Sequence, residues 1–444
     1  MTRQLHLNLF LMPRGHHESA WRHPASTPRA LTDLELYVEA ARIAEAAKFD
    51  AVFLADAVVA PTGGLLASGA FEPITLLSAL AVATQKIGLI GTASTTYSLP
   101  YTLARQFASL DHLSKGRAGW NIVTSWAPQA GLNYGRDKDI SHGERYAMAE
   151  DFLKAVDALW RSYPAEAVLD DRASAQYLDT SLIRPVNHKG PYWQTQGPLN
   201  IPGSPQGRPV YVQAGQSDDG RAFAARWAEV IFTAHLAKES AQVFYSDVKG
   251  RAVANGRQPA DIAILPGLSA AIGSTEAEAL QVWEELDDLT SPEIGLTRLS
   301  ARFGGHDFSS LPLDKQLTRS DFPDPERVDA SKSRVKGYID LAVQEGLTLR
   351  QLLKRLAGAR GHFTLAGTPE KVADVIEDWF TSGASDGVNV MPPILYRQFE
   401  VFTAEVVPIL QKRGLFRRDY EGETLREHFG LAPVARNFPT ENAA

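Results

Sequence analysis

Short apolar runs alternate along the chain with longer segments in which apolar residues recur every three or four positions. The short runs are rich in β-branched and aromatic residues and lie between turn signals, so they predict strands, whereas the longer segments predict helices. The predicted strands cover residues 5–12, 50–55, 87–94, 118–125, 210–215, 229–233, 262–268 and 386–391. Helices are predicted at about 32–48, 101–113, 144–161 and 396–412, and others begin near residues 71, 217, 274 and 369.

Two of the predicted helices carry capping signals. Thr32 is predicted to cap the first helix, with Glu35 at the capping-box position three residues later. Thr368 is predicted to cap a late helix that has Pro369 at its first position. These signals fix where the two helices are expected to begin.

Eight strands with intervening helices predict an α/β fold, a (β/α)8 TIM barrel that forms a single domain over residues 1–444. Two stretches without a regular pattern, about 163–209 and 290–360, are predicted insertions near the C-terminal mouth of the barrel. A C-terminal helix and an extended tail are predicted over about 396–444. The main alternative is an open doubly wound sheet, but the first strand–helix junction lacks a G-x-G-x-x-G fingerprint.

Composition narrows the class of protein. The net charge of −7 and the lack of a basic block argue against a nucleic-acid binder. The chain contains no cysteine, which excludes disulfides, thiolate catalysis and cysteine-ligated metals. Neither a signal-peptide core nor a membrane-spanning apolar run is present in the sequence, so we expect a cytoplasmic protein with no membrane partner.

Polar residues gather where the predicted strands end. The second strand ends at Asp56, and the third ends in the hydroxyl-rich run from Thr92 to Thr96, which includes Ser94. His142 and Tyr146 follow the fourth strand and share one face of a helix start. In a barrel, the C-terminal ends of the strands build the active site. On these residues alone, a structural salt bridge is the favoured interpretation of Asp56, and a surface or core position is the favoured interpretation of His142.

The turn after the fifth predicted strand has the features of a phosphate site. Gly215 allows a tight bend, and the following helix start offers N–H groups together with the Ser217 hydroxyl. Asp218 and Asp219 are expected to cap the helix or to face solvent, because they would repel an anion. An ordinary glycine turn with a serine cap is the alternative.

Histidines and aromatic residues are frequent in the long loops. His16, His17, His23 and His306 are loop histidines of the kind that supply catalytic groups in barrels. Aromatic side chains in the predicted insertions and neighbouring loops favour an apolar or sulfur-containing substrate over a polycarboxylate, although they could equally pack these segments onto the barrel. They are Trp21, Tyr97, Trp126, Tyr134, Tyr192, Trp193 and Phe303.

Five segments together closely resemble the two-component FMN-dependent monooxygenases of the bacterial luciferase-like superfamily. Within it, the chain is most similar to the group of nitrilotriacetate, EDTA, dibenzothiophene-sulfone and long-chain-alkane monooxygenases. The resemblance runs from the first strand to Gly414–Asp419. The segments are Gly116-Arg-Ala-Gly-Trp-Asn-Ile-Val-Thr-Ser125, Thr92-Ala-Ser-Thr-Thr96, His142-x-x-x-Tyr146, Gln213-Ala-Gly-x-Ser217 and Asp386-Gly-Val-Asn389.

This resemblance implies a cofactor and a set of site residues. Reduced FMN would lie across the barrel mouth as a diffusible co-substrate, with no metal. The residues implied to bind it are Asp56, Thr92, Ser94, His142, Tyr146, Gly215 and Ser217. The residues implied to act in catalysis, by substrate contact or proton transfer, are His17, His142 and His306.

The resemblance also implies a reaction. A separate NAD(P)H-dependent flavin reductase would supply reduced FMN, which with O2 forms a C4a-hydroperoxide that oxygenates a small organic substrate of the sulfur-containing, aromatic or xenobiotic kind. A homodimer or homotetramer is expected.

Three other functions stay open at this stage. One is a luciferase-like deazaflavin enzyme that transfers hydride, although the Trp120 motif and the large insertions speak against it. Another is a non-catalytic flavin-binding protein. The third is a metal-dependent hydrolase, for which no H-x-H or H-E-x-x-H spacing is found. Its available ligands would be Asp56, His142, His188, His235 and His306.

Overall fold

A computed structural model describes residues 3–60, 71–125, 128–136, 140–328 and 332–434. Trp126, residues 329–331 of the second predicted insertion and residues 435–444 of the predicted tail lie outside these ranges. In chain order, the strands are β1 His6–Phe10, β2 Ala51–Leu54, β3 Gly88–Ser94, β4 Ala118–Val123, β5 Val168–Asp171, β6 Gln176–Leu178, β7 His188–Lys189, β8 Gln194–Thr195, β9 Val210–Gln213, β10 Val230–Thr233, β11 Ala263–Ile272, β12 Phe363–Gly367 and β13 Gly387–Val390.

Eight parallel strands close into a barrel, which confirms the predicted TIM-barrel fold. Around the barrel the order is β1, β2, β3, β4, β9, β10, β11 and β13, and β13 returns to β1. Each of these eight strands overlaps one predicted strand. Because all run in the same direction, their C-terminal ends meet at one mouth.

The helices cover the outside of the barrel and fill the insertions. They are α1 Leu34–Ala46, α2 Pro73–Ala83, α3 Pro100–Leu113, α4 Pro128–Asn133, α5 His142–Arg161, α6 Asp218–Trp227, α7 Lys238–Ala254, α8 Glu276–Asp288, α9 Pro292–Arg302, α10 Lys332–Gln344, α11 Leu349–Ala359, α12 Pro369–Thr381, α13 Arg397–Val401, α14 Val407–Lys412 and α15 Leu425–His428. A π-helical turn, Phe402–Val406, joins α13 to α14. Within the described ranges, no helix is both long and apolar enough to cross a membrane.

One predicted helix cap is confirmed and the other is wrong. Thr368 caps α12, and its side chain accepts a hydrogen bond from the Lys371 N–H. In α1 the cap is Asp33, not Thr32, because the Asp33 carboxylate lies within 3.0 Å of the Glu35 N–H. The helix therefore begins one residue later than the capping-box pattern indicates.

Residues of β4 show how the strands divide the core into two layers. Trp120 is fully buried between the barrel and the surrounding helices, where it packs against Phe107, Phe152 and Tyr211. Its neighbour Asn121 points to the other face, as the two-residue period of a strand requires. The inner layer combines apolar side chains such as Phe53 and Leu265 with buried amides such as Asn8 and Asn389.

The end of the chain closes the bottom of the barrel. Residues 415–431 were predicted as part of an extended tail, but they fold back and form α15. Leu425 is fully buried and contacts Gly88 and Gly119 at the N-terminal ends of β3 and β4. Glu229 forms ion pairs with Arg426 (2.7 Å) and Arg208 (2.8 Å) at the same end. A ligand must therefore enter from the other end, the mouth.

Both predicted insertions contain regular structure. The first carries two hairpins, β5 with β6 and β7 with β8. The second carries α9, α10 and α11, and it leads into β12, a strand that the sequence pattern did not predict. β12 pairs in parallel with the second half of β11, from Leu268 to Ile272. The pairing of β11 with β13 lies earlier in β11, at Gly267 and Leu268.

Candidate active site

Two helices begin beside each other at the barrel mouth. His142 is the first residue of α5, and Ser217 caps α6 by accepting a hydrogen bond from the Gly220 N–H (3.1 Å). The His142 Nε2 lies 3.3 Å from the Ser217 Oγ and 3.3 Å from a carboxylate oxygen of Asp219. The partial positive charges of the two helix starts therefore act on the same region.

Tyr146 and two glycines complete this region. The rings of Tyr146 and His142 are 5.1 Å apart. Burial raises the pKa of Tyr146, while hydrogen bonds with Ser217 and Gln213 oppose this, so the phenol stays protonated and can donate. A Cβ atom built on Gly215 would lie 2.7 Å from the Tyr146 hydroxyl, and one on Gly220 would lie 2.9 Å from it. The turn therefore has no space for a side chain at either glycine.

The two aspartates after Ser217 point in different directions. Asp218 faces solvent and pairs with Arg251 at 2.6 Å, away from the site, as predicted. Asp219 is half exposed and contacts His142. The carboxylate closest to the helix starts thus faces a ring nitrogen of His142.

The hydroxyl-rich run predicted at the end of β3 lies at the mouth. The Thr92 hydroxyl donates to the Leu54 carbonyl (2.8 Å) and accepts from the Asn121 side-chain amide (2.8 Å), so it ties β2, β3 and β4 together. Ser94 lies one step nearer the mouth, with its Oγ 2.8 Å from that of Ser125. Thr92 is suited to positioning the strands, and Ser94 is the better placed of the two to meet a ligand.

Asp56 follows the end of β2. Although the residue is exposed, loss of surrounding water raises the pKa of its carboxyl. A hydrogen bond from the Ala57 N–H lowers this pKa, and the nearby Glu72 carboxylate raises it further. In the described ranges it forms no ion pair, so the alternative of a structural salt bridge is not found there. Tyr97 and Tyr134 stack beside it with ring centres 4.7 Å apart.

Two of the four loop histidines, His17 and His306, lie away from the helix starts. His17 has a fully buried side chain whose Nδ1 accepts from the Ser19 N–H (3.1 Å) and whose Nε2 faces Asp287 (3.4 Å), so both nitrogens have protein partners. His306 is exposed in the second insertion and packs edge-on against Phe308. Neither lies with His142, and their predicted roles stay predictions.

His16 is the first-loop histidine nearest to the end of β1. Its Nε2 lies 2.8 Å from the Phe10 carbonyl and must therefore carry the proton, whereas its buried Nδ1 has no hydrogen-bond partner among the described residues. Burial and the nearby charge of Arg360 lower the pKa of His16 to about 3, so the ring stays neutral. Its hydrogen bond to Phe10, the last residue of β1, distinguishes it from His17.

Sequence reasoning missed His362. This ring stacks face to face on Phe232 of β10, with centres 4.9 Å apart. Phe232 also contacts Phe10 and Phe53, and the three rings form an aromatic floor under the mouth. No sequence pattern marks His362, because it follows the second insertion without a motif of its own.

In the part of the chain that the structure describes, no three histidine or carboxylate side chains are grouped as metal ligands. The polar groups at the mouth are instead hydroxyls, amides and helix N-termini. Such groups suit an anionic, hydrogen-bonding ligand.

Comparison with known proteins identifies the family. The family model of luciferase-like monooxygenases matches residues 14–386. The chain is similar to N-acetyl-S-(2-succino)cysteine monooxygenase of Bacillus subtilis (strain 168), with 47% identity over 98% of both chains. It is also similar to nitrilotriacetate monooxygenase component A of Aminobacter aminovorans, with 43% identity over 97% of both chains.

A solved structure agrees with these relatives. Riboflavin lyase (RcaE), with modified FMN and the substrate riboflavin, superposes with a TM-score of 0.85 at 32% identity, covering 98% of both chains. The family match and the relatives together span nearly the whole chain. The protein therefore belongs to the luciferase-like monooxygenase family and is a monooxygenase.

Proposed function

We propose that the protein uses reduced FMN and O2 to insert one oxygen atom into a small organic substrate, and that a separate NAD(P)H-dependent flavin reductase supplies the reduced FMN. The observation that carries this proposal is the convergence of Ser217, His142 and Tyr146 on two helix starts beside the Gly215–Gly220 turn. A phosphate group fits such a turn, because small residues let it approach the backbone and helix N-termini stabilise negative charge. The name of the nitrilotriacetate relative, component A, supports a separate partner component.

The residues at this turn have separable roles. The Ser217 oxygen accepts from the Gly220 N–H, and its hydroxyl would turn its hydrogen from Tyr146 or His142 toward a phosphate oxygen when FMN binds. The phenol of Tyr146 is a second donor. His142, with a half-exposed side chain, is the third group that can reach the phosphate or carry a proton to the mouth.

Reduced FMN, when bound, supplies the electrons that activate O2 for transfer to the substrate. Asp56 and Ser94 are proposed to face the rest of the cofactor, with Thr92 holding their strands in register. Among the three histidines proposed for catalysis, His142 is adjacent to the other cofactor residues. His17 would act by holding the first loop, since both its nitrogens have partners, and the exposed His306 is proposed to contact the substrate from the second insertion.

For the substrate, we propose a sulfur-containing organic molecule. The support is the name of the Bacillus subtilis relative, whose substrate is a cysteine thioether. The insertions around the mouth would exclude bulk water during the reaction. We also propose a homodimer or homotetramer, which light scattering would measure.

The test is an incubation with FMN, NADH, a flavin reductase and 18O2. N-acetyl-S-(2-succino)cysteine serves as the first substrate within a panel of thioethers. The expected result is a mass gain of one labelled oxygen atom or release of a cleaved fragment. Hydride transfer between a substrate and a deazaflavin, without incorporation of label, would contradict the proposal.

A further inference from the structure

The first loop and the second insertion cover one half of the barrel mouth. The proposed cofactor residues follow β2, β3, β4 and β9, which are neighbours in the barrel. The opposite half consists of β10, β11, β13 and β1. There the His16 N–H donates to the Pro392 carbonyl (2.8 Å) just after β13, and His362 stacks on Phe232 of β10. A substrate facing the cofactor would lie under these two segments.

An arginine cluster, formed by Arg298, Arg302 and Arg360, lies in this half. Arg298 and Arg302 are one helical turn apart on α9 and extend from the same face. Both pair with Glu18 of the first loop, and the Arg302 Nη2 is 3.6 Å from its carboxylate. The Arg302 guanidinium also lies 5.6 Å from the centre of the Tyr338 ring, whose hydroxyl donates to the Arg360 carbonyl at 3.3 Å.

Arg298 and Arg302 carry more positive charge than the carboxylate they share. In the described part of the chain, Glu18 is the carboxylate that pairs with Arg298 and Arg302, so one positive charge of this pair is left over. Burial lowers the pKa of Arg298 to about 9, and the charges of Arg302 and Arg360 contribute to this. The charge of Arg360 also acts on His16, at the end of β1.

A partly buried positive charge is stabilised by a bound anion. The side chains of Arg298 and Arg302 are 17% and 21% exposed, so a small molecule can reach them while bulk water is limited. A guanidinium group binds a carboxylate through two parallel hydrogen bonds, which also orients the bound molecule. The chemistry of the cluster thus matches an organic acid.

We infer that the arginine cluster is a carboxylate-binding subsite and that the substrate is an organic acid held there by its carboxylate. This inference rests on the proposed function, since the acid is taken to be the molecule that is oxygenated. It changes the expectation from the aromatic residues alone, which favoured an apolar substrate. The apolar or sulfur-containing part of the molecule would lie over the aromatic floor, with its carboxylate toward α9.

Calorimetric titration tests the subsite without turnover. The probes are N-acetyl-S-(2-succino)cysteine, which carries three carboxylates, and its uncharged trimethyl ester, each added in the presence of excess oxidised FMN. The proteins are the wild type, Arg298→Gln, Arg302→Gln, Arg302→Lys and the control Arg350→Gln. Arg350 is an exposed arginine of the same insertion that pairs with Asp314 at 2.8 Å.

We expect Arg298→Gln and Arg302→Gln to bind the acid about tenfold more weakly or worse, as for loss of a charged hydrogen bond. Arg302→Lys should recover part of the affinity, and Arg350→Gln should match the wild type. The ester should bind all five proteins alike. Arg302→Lys keeps the charge. If a glutamine variant has a lower melting temperature, the affinity of this lysine variant for the acid distinguishes loss of recognition from loss of folding.

Equal affinity of the wild type and both glutamine variants for the acid would overturn the inference. So would failure of the wild type to bind the acid, or an equal loss of ester binding. The proposed function is judged separately by the labelling assay. Arginine-dependent acid binding without oxygen incorporation would leave the subsite standing and would remove only the claim that the bound acid is oxygenated.

Discussion

Gly215 and Gly220 face each other across the turn between β9 and α6 so closely that a Cβ atom on Gly215 would lie 3.0 Å from the Gly220 Cα. A Cβ atom on Gly220 would in turn lie 3.0 Å from the Gly215 backbone. Neither glycine has a positive φ, so backbone conformation is not the reason for glycine here. The reason is space, because a Cβ atom at either position would collide with the facing glycine and with the Tyr146 hydroxyl.

Replacing Gly215 with alanine tests this reading of the turn. The new methyl group would collide with the side chains of Gln213 and Tyr146 and displace the proposed phosphate donors. We expect FMN affinity to fall about tenfold or more, measured by flavin fluorescence titration. Gly250→Ala is the control, because the space around this helical glycine is open and alanine there favours the helix. Unchanged FMN affinity in the Gly215 variant would argue against the phosphate site.

Ser217→Ala separates the cap of α6 from cofactor binding. Loss of the cap should cost about 1 kcal/mol of stability. Loss of the proposed hydroxyl donor should in addition raise the FMN dissociation constant about tenfold. Thr275→Ala is the matched control, since Thr275 caps α8 in the same way through the Glu278 N–H. Equal FMN titrations for the two variants would refute the phosphate role of Ser217.

His142→Ala should weaken FMN binding or oxygenation while the fold stays intact, because the side chain is half exposed and leaves no cavity. Melting temperature, FMN affinity and rate of oxygen incorporation are the three measurements. His112→Ala is the control, an exposed histidine whose Nε2 lies 2.9 Å from the Pro202 carbonyl. Wild-type affinity and turnover in the His142 variant would show that this histidine has neither role.

The buried ion pairs of Glu229 should make stability depend on pH in acid. Burial alone would raise the pKa of Glu229, but Arg208 and Arg426 outweigh it and lower the pKa to about 2. The stabilisation is thus present above the ordinary pKa of 4.5 and is lost as the pH falls from there toward 2. We expect the melting temperature of Glu229→Gln to fall less between pH 5 and pH 3 than that of the wild type.

Asp314→Asn provides the comparison for this measurement. Asp314 forms an exposed ion pair with Arg350, which solvent screens. This variant should therefore follow the pH profile of the wild type. Parallel profiles for all three proteins would mean that Glu229 does not control acid stability.

The barrel was predictable because its strands carry strong local signals. A run such as Ala118–Val123 is apolar, bounded by a turn and followed by polar residues, and the structure contains a strand there. β12 was not predicted because Phe363–Gly367 becomes a strand by pairing with the second half of β11. These two segments are far apart in the sequence. The position of the α1 cap was missed by one residue because Thr32 and Asp33 are both good capping residues, and only geometry chooses between them.

The grouping of His142, Tyr146 and Ser217 was predictable because these residues follow β4 and β9, which are neighbours in the barrel. His142, Tyr146 and Ser217 come together as the strand order requires. The arginine cluster was not visible, because Glu18, Arg302 and Arg360 are far apart in sequence and lie in segments without a regular pattern. The folded C-terminal segment was missed for a similar reason, since Leu425 becomes part of the core only against β3 and β4.

The closed bottom of the barrel also constrains how the chain can fold as it is made. β1 has β2 as one neighbour and β13 as the other, and the Leu5 N–H donates to the Leu415 carbonyl. During synthesis the N-terminal strands emerge first, so β1 has an open edge until residues near 390 appear. The core at the bottom of the barrel is complete only once Leu425 has also been synthesised. Folding of this barrel is therefore completed only when almost the entire chain has left the ribosome.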